Sequence, residues 1–152
     1  MIKKIDLSNG LRVSEVALGA MMFGTTTPEA DAFGILDAFL DFGGNFVDTS
    51  NNYAHWAGSG DESEAVLGNW LRQRGCRDRV VLATKVGFDR HGEGAGLRKA
   101  QIVYWIEESL RKLNTDYVDL YYAHTDDANT PMEETMEAFD SLVKAGKVLH
   151  LG

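Results

Sequence analysis

Cysteine and basic charge are scarce in this sequence of 152 residues. The single cysteine, Cys76, excludes an internal disulfide framework and leaves no C-x-x-C spacing for a metal, so no metal site is predicted. With 15 Lys and Arg against 23 Asp and Glu, the formal charge is −8. That balance argues against nucleic acid or an anionic membrane as the main partner, since both require clustered basic residues. A cytoplasmic protein is the expectation.

Long hydrophobic runs are also absent. No stretch approaches the roughly 18 consecutive apolar residues of a membrane-spanning helix. The N-terminal stretch MIKKIDLSNGLRVSEV lacks the apolar core, roughly 7–15 residues long, of an export signal. Hydrophobic residues make up 44% of the sequence, which is enough to fill the core of one ordinary domain. We therefore expect one folded domain that is neither exported nor inserted in a membrane.

Short apolar runs alternate with longer amphipathic stretches along the chain. Four stretches carry apolar residues at helical spacing, as at Ile102, Ile106 and Leu110. They separate five runs that we predict to be buried strands: Val16–Gly19, Asn45–Asp48, Val80–Thr84, Tyr117–Ala123 and Val148–Leu151. Such alternation predicts a parallel sheet whose strands are connected by crossover helices.

The predicted helices carry boundary signals of their own. Thr27-Pro28 and Thr130-Pro131 each predict an N-cap followed by proline in the first turn, and Glu133 completes a capping box with Thr130. Asp61 and Glu64 form a weaker version of the same signal. Three glycines stand where a left-handed residue would end a helix: Gly43, Gly75 and Gly146.

Polar residues at the strand ends help to distinguish a barrel from an open sheet. Asp48, Lys85 and His124 fall at the carboxyl ends of three consecutive predicted strands, where barrel enzymes place their active sites. An open nucleotide-binding sheet would instead carry a glycine fingerprint after its first strand, which here ends in LGAMMFG. The glycines from Gly92 to Gly96, in HGEGAGL, lie too far past their strand, and we predict a flexible loop there rather than a phosphate site. The prediction is a parallel (β/α) barrel.

Several motifs in order resemble the N-terminal signatures of the aldo-keto reductases: GLRVSEVALGAMMFG, FVDTSNNYA, SEAVLGNWL, VVLATKVG, DYVDLYYAH and GKVLHLG. The resemblance implies a (β/α)₈ barrel, NADPH as cofactor and a small carbonyl compound as substrate. It places the family's catalytic tetrad on Asp48, Tyr53, Lys85 and His124. It also implies cofactor contacts at Gly19, Ala20, Met21 and Asp48. Where many relatives have glycine after the catalytic tyrosine, this chain has Ala54-His55-Trp56.

The chemistry of carbonyl reduction gives these four residue types distinct tasks. A tyrosine with a pKa near 10 is a poor acid at neutral pH, and a lysine ammonium about 4 Å away would lower that pKa. Lys85 is the expected cation for Tyr53, and Asp48 would hold its ammonium by a charge-assisted hydrogen bond. His124 is expected to donate a hydrogen bond to the substrate carbonyl and orient it.

Each of these residues also has a structural interpretation. An aspartate at a strand end is usually a turn or capping residue, and a strand-end lysine usually extends into solvent. Met21 is as compatible with packing as with a nicotinamide contact. His55 and Trp56 either shape a substrate pocket or form a loop over the barrel mouth. The joint order of the four tetrad residues favours catalysis.

The sequence accounts for about five of the eight strands of a barrel. A full barrel takes about 250 residues, whereas this sequence reaches its predicted fifth strand at Leu151-Gly152. The expectation is therefore a half-barrel fragment over residues 1–152, cut in its fifth strand, without most of the cofactor site, that self-associates through its open edges. A non-catalytic half-barrel or interaction module is the alternative to a carbonyl reductase.

Overall fold

A five-stranded parallel sheet forms the centre of the computed structural model, which describes residues 1–7, 10–89 and 95–152. The strands follow one another in chain order, each paired in parallel with the next. They are β3 (Ala17–Gly19), β4 (Phe46–Asp48), β5 (Val81–Val86), β6 (Val118–Ala123) and β7 (Val148–Leu151), after an antiparallel pair, β1 (Lys4–Asp6) and β2 (Arg12–Ser14). The predicted loop at Gly92 begins outside the described residues.

One α-helix fills each connection of the sheet, as the alternating pattern predicts. The helices are α1 (Glu29–Asp41), α2 (Glu62–Arg74), α3 (Lys99–Leu113) and α4 (Met132–Lys144), with a 3₁₀ turn at Arg77–Arg79 before β5. Left-handed backbone follows each helix: φ is +90° at Gly43, +57° at Gly75 and +72° at Gly146, as predicted, and +51° at Asn114 after α3.

The predicted threonine caps are wrong. Pro28 and Pro131 themselves occupy the N-cap positions of α1 and α4, and neither helix has a side-chain cap. The Thr130 hydroxyl donates instead to Asp127 Oδ2 at 2.6 Å. Asp61 is the N-cap of α2 but makes no capping bond with its side chain. In both proline cases the helix begins one residue later than the pattern indicates, which leaves the threonine outside the cap.

The β1–β2 pair was not predicted from the sequence. It is fastened to the start of β4 by Ser14 and Asn45: the Ser14 N–H donates to Asn45 Oδ1 at 2.6 Å, and the N–H groups of Asn45 and Phe46 donate to Ser14 Oγ. The Ile2 N–H donates to the Phe42 carbonyl just past α1. The N-terminal segment therefore lies across the end of the sheet opposite to the tetrad residues.

The core lies between the helices and the sheet. Its largest fully buried side chains include Leu36, Leu67, Trp70, Ile102 and Ile106. The prediction that all five strands are buried is wrong for the outer two. Ala17 and Gly19 of β3 and Leu149 and Leu151 of β7 are exposed, because each outer strand has a partner on one side only. Within the described residues, no helix combines the length and apolar character needed to cross a membrane.

Candidate active site

Asp48, Lys85 and Tyr53 form one hydrogen-bonded cluster at the carboxyl end of the sheet. Lys85 Nζ lies 2.7 Å from Asp48 Oδ2 and 2.5 Å from the Tyr53 hydroxyl oxygen. It also donates to the Thr49 carbonyl at 2.7 Å, and the Tyr53 hydroxyl donates to Asp48 Oδ2 at 2.9 Å. The expected salt bridge between Lys85 and Asp48 is present. The ammonium is thereby held by three oxygens.

Sheet register explains why the lysine reaches the aspartate. Asp48, the last residue of β4, pairs with Ala83 of β5, and Lys85 stands two residues further along β5 on the same face. The sequence predicted that Lys85 ends its strand. It is instead the second-last residue, because β5 continues to Val86. Its side chain is only 12% exposed and therefore cannot extend into solvent.

The Tyr53 side chain is presented by a turn that follows β4. Asn51 and Asn52, just before it, are buried, and Ala54, just after it, is fully buried with φ +56°. The Ala54 carbonyl accepts the N–H groups of Ala57 and Gly58, at 2.8 and 3.0 Å. A left-handed alanine therefore stands where the sequence departs from the family's glycine.

The electrostatics of the cluster differ from expectation. Burial raises the pKa of Tyr53, and the charge of Asp48 and its hydrogen bond raise it further. The prediction that Lys85 lowers this pKa in the resting cluster is therefore wrong, because the carboxylate that holds the lysine also faces the phenol. Burial lowers the pKa of Lys85, although Asp48 opposes that shift. Tyr53 consequently keeps its proton at neutral pH.

His124 lies beside the cluster, just after β6. The backbone N–H of His124 donates to the Val86 carbonyl at 2.7 Å. In its side chain, Nδ1 lies 3.3 Å from Ser50 Oγ, and the ring meets the Tyr53 ring edge-on with 6.1 Å between the centroids. Burial lowers the pKa of His124, and the positive charge of Lys85 lowers it further. The imidazole is therefore neutral at pH 7.

A cavity of about 420 Å³ opens directly beside Tyr53 and His124. Its other lining residues are Met21, Asn52, His55, Trp56 and Phe88. The sequence did not single out Asn52 or Phe88, although Phe88 stands only three residues after Lys85 and could have been sought there. None of the lining residues within the described chain is Lys or Arg. The lining is therefore largely apolar and aromatic.

The predicted cofactor residues differ in what they can contact. Gly19 ends β3, and the Ala20 N–H donates to the Asp48 carbonyl at 2.9 Å, so that amide is already bonded. Ala20 is fully buried, whereas Met21 is 41% exposed and lines the cavity. Met21, Tyr53 and His124 line the same cavity. Of the four predicted cofactor residues, Met21 is the one that lines the cavity.

Parallel strands with polar residues gathered at their carboxyl ends define part of a (β/α) barrel with a barrel-type active site. The Aldo/keto reductase family model matches residues 15–152. The structure also superposes, with a TM-score of 0.85 and 36% sequence identity, on aldo-keto reductase AKR11C1 from Bacillus halodurans (holo form), over 100% of this chain and 50% of that one. The chain belongs to the aldo/keto reductase family.

Three relatives show how far the similarity extends. The uncharacterized oxidoreductase YrpG of Bacillus subtilis is 42% identical over 94% of this chain and 46% of its own length. Norsolorinic acid reductase stcV of Emericella nidulans is 41% identical over 94% of this chain and 40% of its own. The putative aryl-alcohol dehydrogenase AAD6 of Saccharomyces cerevisiae is 35% identical over 96% of this chain and 74% of its own. The chain thus spans about half the length of YrpG and of stcV.

Proposed function

We propose that the chain carries the proton-donating site of an NADPH-dependent carbonyl reductase, with Tyr53 as general acid. The observation that carries the proposal is the Lys85 ammonium, which contacts both the Tyr53 hydroxyl and Asp48. A bound nicotinamide cofactor supplies the hydride for the carbonyl carbon. The protein must then supply the proton for the carbonyl oxygen, and Tyr53 is the protonated group that faces the cavity.

The raised pKa of Tyr53 is compatible with this role. The phenol keeps its proton until the carbonyl oxygen becomes an alkoxide, which is a stronger base than phenolate. As the proton leaves, the phenolate that forms is stabilised by the adjacent Lys85, by roughly 4 kcal/mol for charges about 4 Å apart at an effective dielectric near 20. In the resting cluster the phenol donates to Asp48, so the hydroxyl must turn from Asp48 toward the substrate. Asp48 keeps Lys85 in place during that turn.

Two parts of the barrel bind the two ends of the cofactor in this proposal. Met21, with Gly19, Ala20 and Asp48 behind it, holds the nicotinamide end of NADPH beside Tyr53. The phosphates need cationic side chains, and the described lining of the cavity contains none. We therefore assign the phosphate and adenosine contacts to a part of the barrel other than the described residues. The described residues then hold only the nicotinamide end of the cofactor site.

The cavity favours an aryl aldehyde or ketone as substrate. Trp56 and Phe88 stand at its edge, 64% and 47% exposed, and His55 packs between them with ring centroids 5.3 Å from Trp56 and 6.4 Å from Phe88. Aromatic rings prefer offset or edge-on contact with one another, which these walls offer to a flat ring. The names norsolorinic acid reductase and aryl-alcohol dehydrogenase, borne by relatives, agree with such a substrate.

Replacing Tyr53 tests the general acid. In a preparation that binds NADPH, Tyr53→Phe is expected to reduce the rate of benzaldehyde reduction by about 10²–10⁴-fold, since phenylalanine keeps the ring but has no proton to give. NADPH affinity should stay within about two-fold, because the nicotinamide wall is preserved. The matched control is Tyr104→Phe, at a residue of α3 that is 58% exposed and does not line the cavity. Reduction that survives within a few-fold would assign the proton to another acid.

A non-catalytic half-barrel remains the second candidate, and the open edges at β3 and β7 favour it. An interaction module would bind a protein partner through those edges and would not need Tyr53. NADPH fluorescence titration of the longest protein that contains this chain separates the two functions. Saturable binding supports the reductase, and its absence supports the module.

A further inference from the structure

Two buried hydroxyl groups stand at the base of the turn that carries Tyr53 and have no task in the proposed reaction. We call the connection from β4 to α2, residues 49–61, the Tyr53 loop. Thr49 is its first residue, and Ser63 lies in the first turn of α2, just after it. The two hydroxyl oxygens are 2.7 Å apart, and both residues are fully buried. The contact therefore joins the two ends of the loop, out of reach of solvent.

Thr49 links this contact to the lysine of the site. Its carbonyl accepts a hydrogen bond from Lys85 Nζ at 2.7 Å, and its N–H donates to the Ala83 carbonyl of β5 at 2.9 Å. Thr49 is thus held by β5 through its backbone and by α2 through its side chain. A shift of Thr49 would move one of the three oxygens that hold the ammonium.

Ser63 links the contact to the wall of the cavity. Its hydroxyl donates to the Ala20 carbonyl at 2.8 Å, and the Ala20 N–H in turn donates to the Asp48 carbonyl at 2.9 Å. The Ala20 carbonyl belongs to the peptide bond that leads to Met21, which lines the cavity. One pair of buried hydroxyls therefore connects the loop, the support of the lysine and the cavity wall.

We propose that Thr49 and Ser63 are positioning residues, whose paired hydroxyls hold the Tyr53 phenol in place. The inference rests on the proposed function insofar as Tyr53 is taken to give the proton. Neither Thr49 nor Ser63 lines the cavity, so neither touches a molecule bound there. They act on the rate through the geometry of proton transfer, because a displacement of about 1 Å at a reacting group can cost about 10²-fold.

Carbon-13 NMR of the tyrosine Cζ atoms tests the positioning without cofactor or turnover, because the Cζ shift responds to the hydrogen bonds of the phenol. The sequence has five tyrosines, and Tyr53→Phe identifies the signal of Tyr53 in the full chain. Thr49→Val removes the hydroxyl but keeps the shape of the side chain, whereas Thr49→Ser keeps the hydroxyl. We expect Thr49→Val to shift the Tyr53 signal and Thr49→Ser to leave it in place. An unchanged Tyr53 signal in Thr49→Val would overturn the proposal.

The same variants are compared in benzaldehyde reduction by a preparation that binds NADPH. Thr49→Val should lower kcat by about 10–100-fold while the KM for benzaldehyde stays within about three-fold, since the lining of the cavity is unchanged. Thr49→Ser should keep kcat within about three-fold of the unaltered protein, because the hydroxyl pair is retained. Equal losses in the two variants would assign the effect to the methyl group of Thr49. An unchanged kcat in Thr49→Val would likewise contradict the positioning role.

A buried threonine elsewhere provides the matched control. Thr135 of α4 is 6% exposed, donates its hydroxyl to the Leu97 carbonyl at 3.1 Å and does not line the cavity beside Tyr53. Thr135→Val should change neither the Tyr53 signal nor kcat, and a response equal to that of Thr49→Val would mean that the effect is one of general packing. The amide spectrum of each variant verifies that it is folded. If Thr49→Val does not fold, Ser63→Ala takes its place, because it removes the other hydroxyl of the pair.

The Tyr53 signal and the reduction of benzaldehyde can fail separately. If the signal moves as expected but benzaldehyde is not reduced, the proposed function fails while the positioning roles stand. If Tyr53→Phe abolishes reduction but Thr49→Val alters neither the signal nor kcat, the reductase stands and the positioning roles fail. The two failures are therefore distinguishable.

Discussion

At the scale of single residues, the direction of the Tyr53 side chain depends on the backbone of its neighbour. Ala54 has φ +56° and is fully buried, and its carbonyl accepts two turn-closing N–H groups. A left-handed backbone costs an L-residue with a Cβ roughly 1–2 kcal/mol. The turn that presents Tyr53 therefore contains local strain that glycine would not have.

Replacing that alanine measures the strain. Ala54→Gly should raise the free energy of unfolding by up to about 1 kcal/mol, because relief of the left-handed strain exceeds the added flexibility of the unfolded chain. The control is Ala57→Gly, an exposed position of the same turn without positive φ, where glycine should lower the free energy of unfolding by some tenths of a kcal/mol. Urea denaturation compares the two variants. Equal losses would mean that Ala54 is unstrained.

Residue-scale prediction from the sequence succeeded for the proximity of the tetrad residues and for the Lys85–Asp48 ion pair, and failed for the partners of His124 and the direction of the Tyr53 pKa shift. Asp48, Tyr53 and Lys85 were expected to meet, because strand ends in a parallel sheet share one edge, and they do. The partners of His124 were not foreseen, since Ser50 reaches it through a turn whose path no periodicity specifies. The direction of the Tyr53 pKa shift was missed for the same reason: it depends on which oxygen the phenol meets.

At the scale of elements, α2 and α3 approach one another closely at a glycine. A Cβ at Gly68 of α2 would lie 2.0 Å from the Lys112 carbonyl oxygen and 2.8 Å from the Leu113 carbonyl carbon, both backbone atoms. Backbone cannot move aside as a flexible side chain can. The contact therefore requires glycine despite its low helix propensity.

A pair of glycine replacements isolates this contact. Gly68→Ala should lower the free energy of unfolding by several kcal/mol, since α2 and α3 must separate to admit the methyl group. Gly34→Ala, in α1 and with nothing within 4 Å of the added Cβ, should raise it by about 1 kcal/mol through helix propensity. Thermal unfolding followed by circular dichroism shows both effects. A harmless Gly68→Ala would contradict the close approach of the two helices.

A buried ionic cluster lies in the same α2–α3 contact. Glu64 is fully buried, accepts the Thr84 hydroxyl at 2.7 Å and lies 3.8 Å from Lys112 Nζ, which also forms an ion pair with Asp61. Burial raises the pKa of Glu64, although the positive charge of Lys112 and the hydrogen bonds of the carboxylate oppose it. The folded state therefore binds the Glu64 proton more tightly than the unfolded state does.

That difference predicts a pH dependence with a definite sign. The contribution of Glu64 to stability is fully present below its unfolded pKa of about 4.3 and is lost as pH rises through the raised folded pKa. The stability of Glu64→Gln relative to the unaltered chain should accordingly increase with pH above about 4.3. Urea titrations at a series of pH values measure the difference.

Glu62, two residues earlier in α2, is the control. Burial acts to raise its pKa, but hydrogen bonds from Ser59 and the Gly60 N–H outweigh burial and lower it. Its contribution is present above the unfolded pKa and lost as pH falls, so the relative stability of Glu62→Gln should decrease as pH rises. Two slopes of the same sign would refute the assignment for Glu64.

The elements show where sequence pattern is sufficient. The order of the four helices and the five parallel strands follows from periodicity and was predicted, as were the glycines after α1, α2 and α4, whereas the threonine caps were not correctly placed. The β1–β2 pair was missed because each of its strands has three residues of which one is apolar, whereas β3 and β4, equally short, stand in apolar runs. Exposure of β3 and β7 depends on neighbours beyond the strand and cannot be read from its own residues.

At the scale of the whole molecule, the sheet has two edges that no other described strand pairs with. β3 and β7 each pair on one side only, and Leu149 and Leu151 of β7 are 45% and 37% exposed. Beside β7, an apolar cavity of about 450 Å³ extends to Met132 and Met136 of α4, which are 65% and 50% exposed. Unpaired strands with exposed apolar neighbours are templates for further pairing.

We therefore expect the 152-residue chain, purified by itself, to self-associate and to bind NADPH weakly or not at all. At about 25 cal/mol per Å², leaving roughly 1,000 Å² of apolar surface wet forgoes about 25 kcal/mol, more than the 5–15 kcal/mol stability of a typical domain. Light scattering after size exclusion should give a mass above the 16.8 kDa of one chain. The double variant Leu149→Lys, Leu151→Lys should shift the population toward the monomer. Tyr104→Lys, on the exposed surface of α3, should not. A monodisperse monomer that binds NADPH at micromolar concentration would show instead that five strands suffice for the cofactor site.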